Sequence, residues 1–154
     1  MIRSNYTYNG MYISEHDFIV PLNYNDPDGE KISAFVREVS MDRSSVKDLP
    51  FLVFFQGGPG HESPRPITNS GWIKRATQDY RVLLLDQRGT GRSSPVTFQT
   101  MKGMSGQRMA KWLQQFRADN IVRDAETIRQ APVSYTHLRA HETEADLVCR
   151  LLLE

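Results

Sequence analysis

An α/β fold, with a mostly parallel sheet opened by an antiparallel hairpin, is predicted by three features of this 154-residue chain. FLVFF at 51–55, a short unbroken apolar run, and RVLLLD at 81–86 read as strands buried on both faces, as parallel strands are. Each run stops at a glycine-rich turn. Between them lies a helical stretch, so strand, helix and strand make one right-handed crossover unit.

The elements follow in order. Over residues 13–24, Phe18, Val20 and Leu22 alternate with Asp17, Ile19 and Pro21, the period of a strand. Turn chemistry at 25–29 (NDPDG) then leads to KISAFVREVS at 31–40, rich in β-formers, and the two segments read as a hairpin. A polar linker at 42–48 precedes the first buried strand. The helix over 71–79 places Trp72, Ile73 and Ala76 on one face. A second helix is expected over 113–130. There Ile121, Val122, Ala125 and Ile128 form the apolar stripe, and Arg123, Asp124, Glu126 and Arg129 are assigned to the surface. A third parallel strand should come next, but no buried strand pattern resumes after Pro132.

Composition narrows the function. With 19 basic and 18 acidic residues and no basic block, the chain lacks the electrostatic footprint of a nucleic-acid or membrane-surface binder. No window approaches the roughly 18 apolar residues of a membrane span. A single cysteine, Cys149, and a start without an apolar leader point to a reducing cytoplasm. Nothing fixes the oligomeric state.

The two turns carry the chemistry. In QGGPG (56–60), adjacent glycines after a buried strand can turn backbone N–H groups into a cleft, and proline stiffens the loop. Such a loop can supply an oxyanion hole, worth several kcal/mol of barrier; it is also what a plain tight turn would look like. RGTGRS (88–93) superficially suggests a phosphate cradle. It lacks the third glycine of the dinucleotide fingerprint, where Ser94 stands, and the Gly-Lys-Ser/Thr ending of a phosphate loop. No cofactor is implied.

Taken together, the hairpin, FLVFFQGGPG, the helix, RVLLLDQRGTGRSSP and LQQFRADNIVRDAETIRQ resemble the proline iminopeptidases (prolyl aminopeptidases), serine peptidases of the α/β-hydrolase fold. The resemblance covers about 11–130. One departure is Gln56, where much of the family has His, which marks a longer branch that uses Gln. The resemblance implies that the backbone N–H of Gly58, or less favourably Gly57, donates to the oxyanion. It also implies that Gln56, Pro59, Gly60, Asp86, Arg88, Gly89, Gly91 and Arg92 shape the loops beside the site, through Asp–Arg pairing and tight turns. The substrate implied is a peptide with an N-terminal proline. Esterases and epoxide hydrolases share the fold, and a non-catalytic small α/β binding domain is the alternative of another class. His16 reads as a strand residue and His61 as a loop residue, neither placed as the family's base.

The catalytic residues themselves are expected to be missing. No Gly-x-Ser-x-Gly elbow occurs. Ser63, Ser93, Ser94, Ser105 and Ser134 all lack the flanking glycine pair, and the family's later Asp and His would lie beyond Glu154. The segment from about Pro132 to the end holds His137 and His141 at i and i+4, with Glu142 and Cys149 nearby. That is not the metalloprotease motif, because the glutamate follows the second histidine, and no metal site is assigned. SYTHLRAHE instead resembles a translated sequencing adaptor found at the ends of unrelated proteins. The expected organisation is therefore 1–131, the N-terminal fragment of an α/β-hydrolase domain, and 132–154, a non-native disordered tail.

Overall fold

The computed structural model describes residues 2–41, 49–57, 60–131 and 138–140, with residues 2–3 and 138–140 described by their backbone alone. The linker at 42–48 lies outside the described residues, as do Gly58, Pro59 and the tail residues Ser134, His137, His141, Glu142 and Cys149.

A strand not expected from the sequence begins the fold. β1 (Ile2–Tyr8) pairs antiparallel with β2 (Met11–Pro21), with Tyr8 opposite Met11. The two residues between them, Asn9 and Gly10, both have positive φ (48° and 73°), as a type I′ hairpin turn requires. β2 then pairs along its length with β3 (Lys31–Ser40), from Tyr12 opposite Ser40 to Pro21 opposite Lys31, so the expected hairpin forms. Its turn is held by Leu22 N–H to Glu30 O at 2.8 Å and Gly29 N–H to Asp26 O at 3.1 Å.

β4 (Phe51–Phe55), α1 (Gly71–Asp79) and β5 (Arg81–Asp86) form the crossover unit at the predicted positions, and the two strands pair parallel. β5 sits centrally, antiparallel to β3 on one side and parallel to β4 on the other. The full order is β1-β2-β3-β5-β4-β6, a mixed sheet with helices, which bears out the α/β class. β6 is the backbone of Leu138–Ala140, parallel to Phe51–Val53. The sequence pattern offers no sign of it, because backbone pairing along an open edge asks little of side chains.

The second helix is shorter than expected. A single turn, α2 (Phe98–Met101), comes first, then α3 (Gly106–Leu113) capped by the Ser105 hydroxyl on Arg108 N–H at 3.3 Å. A 3₁₀ turn over Gln114–Phe116 interrupts the helical run, and α4 (Ala118–Gln130) starts after it. The break lets Trp112 and Phe116 fold together, rings 4.5 Å apart, onto the apolar cluster that α4 covers.

The sheet thus buries two layers. On one face Val20, Val36, Phe51, Val53, Leu83 and Leu85 meet Ala125 and Ile128 of α4. On the other Met11, Ile13, Val39, Leu52, Val82 and Leu84 meet Ile73 of α1. Each of these large side chains contributes roughly 1.5–3 kcal/mol on leaving water. Ile73 and Thr77 are the buried residues of α1, whereas Trp72 is 40% exposed and stacks on Phe54 with ring centroids 4.9 Å apart. Among the described residues no helix is long and apolar enough to cross a membrane.

Candidate active site

Both glycine-rich loops leave the carboxyl ends of adjacent parallel strands, since Phe55 lies opposite Leu85 in the β4–β5 register. That edge of an open α/β sheet is where ligands bind. The loops are joined directly: the Gln87 side chain donates from Nε2 to the Gln56 carbonyl at 2.9 Å. Gly57 is exposed, and the Gln56 amide reaches its carbonyl at 3.4 Å. Gly60 has φ +139° with open space around it. The preferred oxyanion donor, Gly58, and the stiffening Pro59 lie outside the described residues.

Asp86 organises the second loop. Its buried carboxylate accepts Ser63 N–H at 2.9 Å and Arg92 N–H at 3.0 Å, so it ties the segment after QGGPG to the loop after β5. Its own carbonyl takes the Ser93 hydroxyl, whose oxygen in turn accepts Phe35 N–H at 2.7 Å. Glycine is required at 91, where φ is +50° and an added Cβ would fall on the Asp86 carboxylate and 2.7 Å from the Glu62 Cβ. Gly89, with φ +83°, packs against Phe116 and Val96. Ser93 and Ser63 are themselves buried.

The loop arginines, expected to pair with Asp86, pair with carboxylates outside the loop instead. Arg88 forms a bidentate pair with Asp124 of α4, Nε to Oδ2 at 2.7 Å and Nη2 to Oδ1 at 2.5 Å. Its other N–H groups donate to the carbonyls of Leu22 (2.8 Å), Gln115 (2.7 Å) and Pro21 (3.0 Å). Five donors thus meet five acceptors, the full capacity of a guanidinium. The Arg88 side chain is 0% exposed and that of Asp124 2%. The assignment of Asp124 to the surface is corrected: it shares the inward face of α4 with Ile121 and Ile128, three and four residues away, and Arg88 neutralises it there. Tyr24 adds a hydroxyl bond to Asp124 Oδ1 at 2.8 Å, and burial first, then the Asp124 charge, push its pKa up to about 12.

Arg92 turns to the opposite face of the sheet. Its Nη1 lies 2.9 Å from Glu15 Oε2, and its guanidinium sits 3.9 Å over the Phe35 ring. Glu15 also receives Arg37 Nε at 3.5 Å and the Ser4 hydroxyl at 3.0 Å. Burial disfavours its charge, but hydrogen bonds from Arg92 and Ser4 and the two guanidinium charges outweigh that, holding the carboxyl below the usual glutamate range. Glu15, Tyr24 and Asp124 are the residues that sequence reasoning missed. Only the strand period could have flagged Glu15, as a carboxylate in phase with the buried Met11 and Ile13.

His16 is indeed a strand residue. It is buried against Glu38, Nε2 to Oε2 at 3.1 Å, while Glu38 Oε1 accepts Arg81 Nε at 2.7 Å. His61 is exposed in the loop after Gly60.

No family model matches the chain. A proline iminopeptidase of Aeromonas sobria is 47% identical over 126 residues, which make up 81% of this chain and 30% of that relative. A second, the proline iminopeptidase aneH of Aspergillus aculeatus, is 40% identical over 119 residues, 76% of this chain and 27% of its own length. The chain therefore spans less than a third of these curated relatives. Matched stretches of that length within 154 residues necessarily include both glycine-rich loops.

Proposed function

Because the matched stretch of this chain belongs to the proline iminopeptidase family, we propose that the parent enzyme releases N-terminal proline from peptides through a serine acyl-enzyme. In that reaction the serine oxygen attacks the prolyl carbonyl while a histidine takes its proton and passes it to the leaving amine. Water then cleaves the ester by the same proton path. The observation that carries the proposal is 47% identity, over 126 residues that include both loops, to a protein named for this activity; it gives no support to the esterase, epoxide-hydrolase and binding-domain alternatives.

Gly58 N–H, or failing it Gly57 N–H, is the oxyanion donor in this reading. Gln56, Pro59 and Gly60 shape its loop, and Asp86, Arg88, Gly89, Gly91 and Arg92 hold the neighbouring loop against it. The bonds from Gln87 to the Gln56 carbonyl and from the Ser63 N–H to the Asp86 carboxylate support that division of labour.

The chain as written is inactive in this proposal, since it contains no Gly-x-Ser-x-Gly elbow and an oxyanion donor alone cannot perform acyl transfer. Residues from about 132 onward are read as foreign to the enzyme. Sequencing the gene past the codon for Gln130 tests both points: an elbow following in frame is expected, and a genomic SYTHLRAHE would overturn it. The protein encoded by that uninterrupted gene is expected to hydrolyse proline p-nitroanilide, and this chain to leave it at the buffer rate.

A further inference from the structure

On the face of the sheet that α1 covers, a cleft of about 310 Å³ opens between the β1–β2 hairpin and the segment before α1. Tyr6, Tyr8, Arg37, Arg65, Arg92 and Ile67 line it together with Glu15. We infer that this cleft binds a small carboxylate carried on an apolar group, a ligand site separate from the two glycine-rich loops' proposed oxyanion donors. The inference stands or falls independently of the peptidase reading.

Charge is the first argument. Three guanidinium groups line the cleft, and Glu15 is the one carboxylate of its lining. Glu15 is held below the ordinary glutamate pKa by burial-opposed bonds from Arg92 and Ser4, so it is ionised at neutral pH and already counted. Arg65 has a partner in Glu62 at 3.5 Å, but both are largely exposed and such pairs are worth little. Arg37 and Arg92 share the single Glu15 carboxylate, leaving positive charge in excess. A guanidinium presents a planar fork of donors that fits a carboxylate, and the Arg92 side chain, which meets Glu15 through Nη1, is 34% exposed at the cleft.

The second argument is shape. Ile67 is 64% exposed and Tyr8 48%, both at the cleft. These apolar surfaces give the ligand a ring or branched chain to pack against, while the volume lies at the lower end for small-molecule sites. Asn9 pins the far wall by donating to the Ile67 carbonyl at 2.8 Å.

The probe is sodium benzoate, with benzamide as the uncharged isostere, titrated into the full 154-residue chain at low salt and followed by amide NMR shifts. Benzoate is expected to move Tyr6, Tyr8 and Ile67 with a dissociation constant on the order of 1 mM, given the size of the ligand. Benzamide is expected to bind about tenfold more weakly. Arg65→Gln and Ile67→Ser change exposed side chains that the fold tolerates, and each is expected to weaken benzoate by roughly threefold or more. Equal shifts with benzoate and benzamide overturn the inference, as does benzoate binding unchanged by both substitutions.

Discussion

The two arginines of the loop after β5 reach opposite faces of the sheet, and the ionic clusters they make there are built on opposite plans. On the α4 side Arg88 meets Asp124 one to one, every guanidinium N–H has an acceptor, and neither side chain reaches water. On the α1 side two arginines crowd one carboxylate, and Arg92 is about one-third exposed. The closed cluster works as a strut: it fixes the loop after β5 to α4 and to the end of β2. The open one leaves charge available. Satisfaction of every polar group favours rigidity, whereas an incomplete set leaves capacity for a ligand.

Cutting the strut gives the largest expected effect. Asp124→Ala leaves Arg88 buried without its counter-ion and is expected to cost about 3–5 kcal/mol in urea unfolding. A loss under 1 kcal/mol would mean that the two clusters do not differ as described. Gly91→Ala comes next, at roughly 1–3 kcal/mol, because it combines positive φ with a clash on the Asp86 carboxylate.

Acid sharpens the contrast. Glu38 is penalised by burial, yet hydrogen bonds from His16 and Arg81 and the Arg81 charge carry its pKa below 4.5, and Glu15 behaves likewise. The folded chain therefore binds fewer protons than the unfolded one. Stability from both carboxylates is full above pH 4.5 and falls as pH drops through their lower folded values. Glu38→Gln and Glu15→Gln are each expected to flatten the stability–pH curve below pH 4.5, Glu38 more because it is the deeper. The smallest effect expected is Tyr24→Phe, about 1 kcal/mol. Tyr24 ionises near 12 against 10 unfolded, so its contribution is present below pH 10 and lost between 10 and 12. An absorbance titration is expected to show one phenol lagging the others, and the lag disappears in the variant.

The strands were legible where burial is double-sided, as in FLVFF and RVLLLD, because a short apolar stretch that stops at a glycine-rich turn is too short for a helix. The loops were legible because QGGPG and DQRGTGRS each follow such a stretch. The Asn9-Gly10 turn is equally legible, being a strong short-range hairpin signal, and it joins β1 to β2. Asp124 was not readable. A carboxylate on a helix is assigned to water by pattern alone, and its partner Arg88 lies 36 residues earlier. The break at 114–116 escaped for a similar reason, since it answers to the packing of Trp112 on Phe116 and not to any breaker residue.

The strand order has a consequence in time. Among the described residues β4 pairs only with strands that come after it in the chain, β5 and β6, while β5 takes the place between it and β3. During synthesis, then, the β1–β2–β3 meander can assemble from neighbouring contacts, which close quickly. β4 emerges as an apolar strand with no described neighbour to pair with until about thirty further residues have followed. That interval exposes an unpaired sheet edge, the condition under which nascent chains associate with one another.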